Sequence, residues 1–302
     1  MGKFYLLGDM GTGGEDQLKV SNALHKHIKN NSNNCFVCGL GDNIYEDGCY
    51  SNEDIQFINK FEKPYKKISD KIKFYMCLGN HDYGFNTEGL GNAIYQLNYA
   101  IDSKKNNKKW IMPSNYYSFK KRNIEFFVLD TNFDRYENDK KKINIQFKQI
   151  SESIKKSKAK WKIVYGHHTW FSIGGHGGEE LIVKKFLNKL LKVCSFDIYM
   201  CGHDHNKQII ELTNKKYTPI RSKRRSNKKK NIKKNKVTII VCGTGGKVYD
   251  DEINYDYLNK NCKLQYFSNT LGFGYCNIYG NKFTLNFFDV NGNVEYTHIL
   301  NK

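Results

Sequence analysis

The sequence predicts an α/β fold of four layers, in which a two-sheet β-sandwich lies between flanking helices. Five short apolar runs each end in a glycine that a polar residue follows. Helical patterns alternate with these runs through the first two hundred residues, and after residue 236 the pattern changes to closely spaced strands. With 302 residues and no segment that has the composition of a linker, we expect one domain spanning 1–302.

The apolar runs before the glycines are predicted to be strands. They are rich in aromatic and β-branched residues, which is typical of strands buried on both faces. These runs cover residues 4–7, 35–38, 74–78, 161–165 and 196–201. Further strands are predicted at 237–242, 274–279, 283–289 and 294–300. Each early run places a polar side chain beyond the carboxyl end of a strand, where open α/β sheets bind ligands.

Four segments have the apolar spacing of helices. They cover residues 15–30, 89–101, 141–156 and 178–193. The last has the clearest pattern, because its apolar side chains recur three and four residues apart. These side chains are Leu181, Ile182, Phe186, Leu187, Leu190 and Leu191. The four helices complete the predicted layers.

The polar residues at the predicted strand ends belong to five short motifs. The motifs are Gly8-Asp9-Met10-Gly11, Gly41-Asp42-Asn43-Ile44-Tyr45, Gly79-Asn80-His81-Asp82, Gly166-His167-His168 and Gly202-His203-Asp204-His205. Together they supply carboxylate, amide, phenol and imidazole groups. Oxygen donors mixed with imidazole suit Fe, Zn or Mn, and they argue against Ca²⁺, which rarely binds histidine.

The number of these groups predicts two adjacent metal ions. Asp42 can bridge both ions because a carboxylate has two oxygens. Asp9 and Asn80 each offer an oxygen and His167 a nitrogen, while the two histidines of the last motif can each bind a different ion. Two ions ~3.5–4 Å apart clamp the attacking and leaving oxygens of a phosphoryl transfer, and they acidify a bound water to hydroxide near neutral pH.

The set of motifs resembles that of the metallophosphoesterases, the calcineurin-like superfamily. Tyr45, three residues after Asp42, resembles the tyrosine that marks the purple acid phosphatase branch, and the tartrate-resistant type is the most similar. The resemblance runs from residue 3 to about residue 290 and implies the metallophosphoesterase fold. Two positions depart from that branch: Met10 stands where tryptophan is usual, and His168 where an aromatic residue is more usual.

The resemblance implies a ligand set for each ion. The ligands expected for Fe(III) are Asp9, Asp42, Tyr45 and His205. The ligands expected for the second ion, which is Fe(II), Zn or Mn, are Asp42, Asn80, His167 and His203. Charge transfer from the tyrosine phenolate to iron would give the protein a visible colour.

The resemblance also implies catalytic roles for two further histidines. His81, beside Asn80, resembles the histidine that contacts the substrate phosphate, and His176 resembles an active-site histidine of the small phosphatases. Asn80, His81 and His176 are therefore expected to bind the phosphate. Either His81 or His176 is expected to protonate the leaving alkoxide.

The predicted function is metal-dependent hydrolysis of phosphomonoesters by attack of a metal-bound hydroxide, as in acid phosphatases. The expected substrate is a phosphorylated small molecule or protein. A phosphodiesterase, a nucleotide hydrolase or a protein phosphatase on the same site is an alternative, because the sequence does not define the pocket walls. A non-catalytic scaffold of the same fold is a second alternative, although all seven ligand positions are intact here.

Composition bears on the compartment and on the cysteines. No leader pattern precedes the first strand and no run of 18 apolar residues occurs, so we expect an intracellular, cytoplasmic monomer without a transmembrane segment. Nine cysteines lie mostly in predicted strands, which indicates reduced core residues. Cys35 and Cys38 are three residues apart in one strand, so their thiols should point to opposite faces.

The net charge of +19 is uneven along the chain. Residues 221–236 contain ten Lys and Arg residues and no acid, which predicts a self-repelling, disordered loop between two strands. Such a segment can bind nucleic acid or an acidic surface, although the codon bias of an AT-rich genome would also produce it. The positive charge of the whole chain would attract anionic phosphate substrates.

Overall fold

The computed structural model describes residues 2–31, 34–85, 87–105, 109–136, 140–178, 180–216, 233–250 and 253–302. Within these residues, fourteen strands form two seven-stranded sheets. The first contains β1 (Gly2–Leu7), β2 (Phe36–Gly39), β3 (Phe74–Met76), β4 (Trp110–Ile111), β12 (Gly272–Tyr279), β13 (Lys282–Asp289) and β14 (Val294–Asn301). The second contains β5 (Tyr117–Lys121), β6 (Ile124–Val128), β7 (Trp161–Tyr165), β8 (Ile198–Cys201), β9 (Lys207–Lys216), β10 (Lys233–Cys242) and β11 (Cys262–Ser268). The predicted two-sheet fold is confirmed.

The carboxyl ends of the parallel strands of both sheets lie next to each other. The first sheet has the order β14-β13-β12-β1-β2-β3-β4, and the second has the order β11-β9-β10-β8-β7-β6-β5. Strands β1 to β4 are parallel, as are β6, β7, β8 and β10. Backbone hydrogen bonds join the sheets where these strands end, from Gly8 N to Cys242 O (3.1 Å) and from Gly245 N to Gly8 O (3.0 Å). The polar residues after the strands therefore meet.

The side chains of the parallel strands alternate between two hydrophobic cores. Phe4 and Leu6 of β1 face the second sheet and pack in one cluster with Phe126 of β6. Tyr5 faces the other way, into a cluster that includes apolar side chains of helix α1 (Glu15–Asn31). Full burial of such a side chain contributes roughly 1.5–3 kcal/mol. Burial on both faces explains why these runs are continuously apolar.

Three of the four predicted helices lie where the sequence places them. They are α1, α5 (Lys140–Lys156) and α6 (Leu181–Val193). The fourth, α4 (Ala93–Lys105), begins four residues later than the predicted 89–101. The reason is local, because Gly89 and Gly91 have φ angles of 60° and 45° and form turns before the helix.

Two helices, α2 (Ile55–Phe57) and α3 (Asn80–Tyr83), and the π-helical turn Ile58–Glu62 were not predicted. They are too short for hydrophobic periodicity to reveal them. Strands β4, β5, β9 and β11 were also not predicted. Three of them carry lysine or other polar side chains that interrupt the apolar pattern, as in Tyr117–Lys121. The second sheet therefore has a wider antiparallel part than the sequence indicates.

The basic segment corrects one boundary. The strand predicted at 237–242 begins at Lys233, where β10 pairs with Lys216 of β9. The prediction of a loop at 233–236 is therefore wrong, because these residues extend the hairpin of β9 and β10. Residues 221–232, which carry the rest of the basic charge, lie outside the described residues.

The cysteines occupy the positions that the sequence predicts. All nine are free thiols, and eight of them are buried. Cys35 belongs to the cluster on the α1 side of the first sheet, whereas Cys38 belongs to the cluster between the sheets. Within the described ranges, no helix combines the length and the apolar character needed to cross a bilayer.

Candidate metal centre

The seven predicted ligands are brought together at the shared edge of the two sheets. Asp9 follows β1, Asp42 follows β2, and Asn80 is the first residue of α3 after β3. From the second sheet, His167 follows β7, and the loop after β8 supplies His203 and His205. Tyr45 lies on the same loop as Asp42. Each short loop carries its polar side chain to the carboxyl ends of the parallel strands, where the two sheets meet.

Three of these residues have an unusual backbone conformation. Asp9, Asp42 and His203 have φ angles of 56°, 51° and 71°, in the left-handed region that non-glycine residues rarely adopt. Each such residue costs roughly 1–3 kcal/mol, and such residues cluster at functional sites. Hydrogen bonds hold the conformation: His203 N donates to Asp9 Oδ1 (3.1 Å) and Oδ2 (3.0 Å), and Asp9 N donates to Gly41 O (3.0 Å). The fold thus maintains strain where the donors converge.

Asp9, Asp42, Tyr45 and His205 form one group, which we call the phenol subsite. The Tyr45 hydroxyl donates to Asp9 Oδ1 at 3.2 Å and lies 3.1 Å from His205 Nε2. His205 Nε2 is 3.5 Å from Asp9 Oδ1. One donor atom from each of Asp9, Asp42 and His205 lies within 4.8 Å of the other two. The four side chains are buried and surround a common point.

Asp42, Asn80, His167 and His203 form a second group, which we call the histidine subsite. His167 Nε2 lies 3.0 Å from Asn80 Oδ1, 3.4 Å from Asp42 Oδ1 and 3.1 Å from His203 Nδ1. His167 Nδ1 lies 2.8 Å from the carbonyl oxygen of Leu40 and donates its hydrogen to it. Asp42 belongs to both groups, so the two subsites adjoin each other through one carboxylate.

Burial and charge determine the protonation of the phenol subsite. Burial raises the pKa of the Asp9 carboxyl well above its usual range. Burial, together with the charges of Asp42 and Asp9, raises the pKa of the Tyr45 phenol. Burial and then Lys247 lower the pKa of His205 to about 3, so this imidazole is neutral, the form that binds metals. The phenol can ionise here when a cation takes the place of its proton.

Burial and neighbouring charges also shift the pKa values of the two imidazoles in the histidine subsite. Burial alone would lower the pKa of His167, but the charge of Asp42 raises it to about 10. Burial, together with the rings of His168 and His167, lowers the pKa of His203 well below its usual range. Buried charge is stable only when it is paired or coordinates a metal. The mixed oxygen and nitrogen donors of the two subsites therefore fit two metal ions.

Two glycines leave the space that the carboxylates occupy. A Cβ atom on Gly79 would collide with the Asp42 carboxylate, and one on Gly202 would collide with the Asp9 carboxylate. The glycine of each motif therefore has a steric function as well as forming the turn. The sequence shows the glycines, but the collisions become visible only in the folded chain.

Asp82 connects two ligand loops and was not singled out from the sequence. Its carboxylate accepts backbone N–H groups of Asn43 (2.9 Å), Ile44 (3.1 Å) and Gly79 (2.7 Å), and the side-chain amide of Gln96 (2.7 Å). These bonds fix the loop of Asp42 against the loop of Asn80. The available signal was its position inside the Gly-Asn-His-Asp motif.

His81 lies at the opening of the phenol subsite. Its ring centroid is 4.5 Å from that of Tyr45, and its Nε2 atom is 4.0 Å from Asp42 Oδ2. Its Nδ1 atom lies 2.5 Å from the carbonyl oxygen of Glu46, which leaves Nε2 on the side of the centre. The side chain is 18% exposed, so a ligand can reach it.

His176 lies at the opening of the histidine subsite. Its ring centroid is 4.2 Å from that of His203. Asp204 holds its loop, accepting the backbone N–H of His176 at 2.9 Å and the hydroxyl hydrogen of Ser172. Asp204 was not singled out from the sequence, although it lies between the two histidines of the last motif.

Three neighbours of the centre have no signal in the sequence. The Lys247 ammonium lies 4.0 Å from the centroid of the Tyr45 ring, and Tyr249 stacks on His205 with 4.6 Å between centroids. Glu180 Oε1 lies 3.3 Å from His203 Nε2. They come from the loop after β10 and from the residue before α6, both distant in sequence from the motifs.

The profile of the calcineurin-like phosphoesterase family matches residues 2–207, about two thirds of the chain. The chain belongs to the calcineurin-like phosphoesterase family. Among proteins of that kind, purple acid phosphatase 17 of Arabidopsis thaliana is 27% identical over 315 residues, covering 99% of this chain and 84% of the relative. Tartrate-resistant acid phosphatase type 5 of Mus musculus is 30% identical over 198 residues, covering 59% of this chain and 57% of the relative. The resemblance inferred from the motifs is confirmed.

Solved structures show the same fold. GAP50, the anchor in the inner membrane complex of Plasmodium, matches with a TM-score of 0.76 and 25% identity, covering 99% of this chain and 88% of GAP50. A purple acid phosphatase from yellow lupin seeds matches with a TM-score of 0.67 and 17% identity, covering 99% of this chain and 53% of the lupin protein. The fold of this calcineurin-like phosphoesterase is therefore similar to that of a phosphatase and to that of an anchor protein.

Proposed function

We propose that this calcineurin-like phosphoesterase is a dinuclear metal hydrolase that cleaves phosphomonoesters, like the purple acid phosphatases it resembles. One observation carries the proposal: seven donor side chains from both sheets converge in two adjoining subsites that share Asp42. The strained backbone at three of these residues supports it, since such strain collects at functional sites.

The charge of the donors supports an identity for each ion. In the phenol subsite, two carboxylates and a phenolate favour Fe(III), a hard, highly charged cation. In the histidine subsite, one carboxylate, one amide and two imidazoles favour a divalent ion such as Fe(II), Zn or Mn. When bound, the two ions supply positive charge to the phosphate and an acidified water as nucleophile.

The remaining residues are proposed to act on the phosphate and the leaving group. His81 and His176 stand at the opening, and in their doubly protonated forms they offer ring N–H groups to phosphate oxygens. The side-chain NH2 of Asn80, whose Oδ1 faces His167, is a third donor. His176 or His81 protonates the departing alkoxide, which contributes typically about 10²–10⁴-fold in rate. Asp204 holds the backbone of the His176 loop, and the Glu46 carbonyl accepts a hydrogen from the His81 ring, which orients that imidazole before the substrate binds.

The substrate class is proposed to be a phosphorylated small molecule or protein, and the net charge of +19 would attract such anions. A phosphodiesterase or nucleotide hydrolase would use the same donors. Binding of nucleic acid or an acidic surface is a separate proposal that rests on residues 221–236, whose described part extends the β9–β10 hairpin.

A scaffold function has one observation in its favour, the 25% identity with the anchor protein GAP50 over 99% of this chain. The two functions make different demands on the centre. A scaffold needs the fold alone, whereas a dinuclear hydrolase needs the donors that hold its two ions, and all seven predicted donors are present. Metal content therefore separates the two.

The test measures metal content and the visible spectrum of the gently purified protein, followed by hydrolysis of para-nitrophenyl monoester and diester substrates. We expect two metal ions per chain, iron among them, a tyrosinate band and a preference for the monoester. Two ions without iron or colour would reject the purple type but retain a hydrolase. A metal-free, inactive protein would reject the proposal in favour of a scaffold.

A further inference from the structure

The outer side of His203 faces a carboxylate that has no role in the proposed hydrolysis. His203 Nδ1 faces the histidine subsite, 3.1 Å from His167 Nε2. Its other ring nitrogen, Nε2, lies 3.3 Å from Glu180 Oε1. His168 packs beside the same ring, with 4.6 Å between the ring centroids. One donor atom from each of His168, Glu180 and His203 lies within 4.8 Å of the other two.

The groups that face the two ring nitrogens of His203 determine which nitrogen carries the hydrogen. A neutral imidazole has one N–H group and one lone pair. If Nδ1 binds an ion in the histidine subsite, the lone pair is on Nδ1 and the hydrogen is on Nε2. The Glu180 carboxylate, 3.3 Å from Nε2, then accepts that hydrogen. Metal-binding histidines usually donate their second N–H in this way, which fixes the tautomer and increases the basicity of the ligand nitrogen.

The ring hydrogen of His168 follows from its contact with Thr131. The Thr131 hydroxyl oxygen accepts the backbone N–H groups of His167 (3.2 Å) and His168 (3.1 Å). Both of its lone pairs are then used, so the hydroxyl donates its own hydrogen to His168 Nδ1, 2.8 Å away. The hydrogen of the His168 ring is therefore on Nε2. The cluster thus consists of one carboxylate acceptor and two imidazole N–H groups.

The two histidines of the histidine subsite have different outer partners. His167 donates its outer hydrogen to the neutral carbonyl of Leu40 at 2.8 Å. His203 has the charged carboxylate of Glu180, which increases electron density at Nδ1 more than a carbonyl does. A third cation bound by His168, Glu180 and His203 would have to remove the hydrogens from both rings and leave His203 without any. The hydrogen-bond arrangement is therefore the better account of this cluster.

We propose that Glu180 is a positioning residue for the histidine subsite, accepting the Nε2 hydrogen of His203 so that Nδ1 points at the ion. This inference rests on the proposed dinuclear function. Glu180 does not touch the reacting atoms and acts through His203. Outer partners of this kind change metal affinity about 10–100-fold.

The first test titrates the metal-free protein with Zn²⁺ in competition with a chromophoric chelator. We expect wild type to bind two ions, and Glu180→Ala to bind one of them about 10–100-fold more weakly, with the other unchanged. Glu180→Gln should recover part of the loss, because its amide oxygen still accepts the hydrogen. Glu53→Ala is the matched control, because Glu53 is exposed on a loop, and it should bind as wild type does.

The second test observes the ring nitrogens of the metal-free protein directly by ¹⁵N NMR. The His203 signals are identified by their absence in His203→Ala. We expect a single Nε2–H tautomer for His203 in wild type and a mixture of tautomers in Glu180→Ala. Thermal unfolding of each variant confirms that it is folded.

The outcomes separate this inference from the proposed function. Wild type that binds two ions, with a Glu180→Ala variant of equal affinity, would overturn the positioning role alone. Wild type that binds three ions, one of which Glu180→Ala loses, would replace the hydrogen bond with a cation site. Fewer than two ions in wild type would overturn the proposed function. In that case the NMR test still decides whether Glu180 positions His203. An unchanged His203 tautomer in Glu180→Ala would overturn the positioning role.

Discussion

The phenol subsite and the histidine subsite share Asp42 but differ in the charge of their donors. Beyond Asp42, the phenol subsite has the Asp9 carboxylate, the Tyr45 phenol and the His205 imidazole. With the two carboxylates ionised and Tyr45 as phenolate, this subsite holds three negative charges. The histidine subsite adds an amide and two imidazoles, which are all neutral. Two adjoining sites can therefore prefer different ions, because the charge of the donors differs.

The charged residues around the two subsites have the opposite distribution of charge from the donors. The ammonium of Lys247 lies over the Tyr45 ring in the phenol subsite, whereas the carboxylate of Glu180 lies behind His203 in the histidine subsite. Each neighbour reduces the charge difference between the subsites. Residues outside the motifs thus adjust two sites that the motifs make unequal.

Removing the donor that both subsites share should have the strongest consequence for the centre. Asp42→Ala should lose both ions and reduce turnover to background, because neither subsite keeps its bridging carboxylate. Elemental analysis and hydrolysis of para-nitrophenyl phosphate measure the two effects. Asp16→Ala, on the exposed face of α1, is the control. Unchanged turnover in Asp42→Ala would contradict a shared two-metal centre.

Removing a donor of one subsite should separate the two. His203→Ala should weaken one ion more than about 100-fold, since even outer partners are worth about 10–100-fold, and the phenol subsite should keep its ion. Metal content after dialysis measures this difference, with His25→Ala on α1 as the control. Equal loss of both ions would mean that the subsites do not act separately.

His176 should affect chemistry without affecting metal content. His176→Ala should slow hydrolysis of an alkyl phosphate about 10²–10⁴-fold, because an alkoxide needs a proton to leave. The loss on para-nitrophenyl phosphate should be smaller, because nitrophenolate leaves without protonation. Comparison of kcat on the two substrates measures the role. An equal loss on both would assign His176 to phosphate binding alone.

Tyr45 should affect the phenol subsite alone. Tyr45→Phe should lose the visible absorption, because the ring can no longer donate charge to iron, while the ion of the histidine subsite remains. Absorption spectra and elemental analysis of the same sample measure both properties. A variant that stays coloured would show that the phenolate is not an iron ligand.

Lys247 should have the smallest effect. A cation over an aromatic ring is worth about 0.5–2 kcal/mol, so its removal should raise the energy of the phenolate electrons by that order. Lys247→Met should therefore shift the visible band to longer wavelength, and Lys247→Arg should restore it. An unmoved band in Lys247→Met would mean that the ammonium does not act on the Tyr45 ring.

Much of the fold was predictable because local patterns encode it. The apolar runs before the motifs became strands, and α1, α5 and α6 lie within three residues of their predicted bounds. The start of α4 was not predictable from periodicity, because the backbone of Gly89 and Gly91 decides it. The strands β5 and β11 were missed because partly exposed polar residues interrupt their apolar pattern. The strand β9 was missed because two polar side chains at its start, Lys207 and Gln208, are buried.

The kinds of donor and their place at strand ends follow from local patterns in the sequence. A glycine, a preceding apolar run and a polar residue are contiguous, so their chemistry and their position in a parallel sheet follow from local rules. The order of the five motifs also indicates the family. It also predicted the opposite orientations of Cys35 and Cys38, since side chains alternate along a strand.

Contacts between distant segments determine which atoms face each other in the centre. The backbone of His203 bonds to the Asp9 carboxylate across 194 residues, and that contact helps to hold a left-handed conformation that no local pattern reveals. Glu180 and Lys247 belong to no motif, and they reach the centre because packing places their loops there. Local patterns fix the identity of the donors, whereas the directions of lone pairs and hydrogens depend on contacts between distant segments.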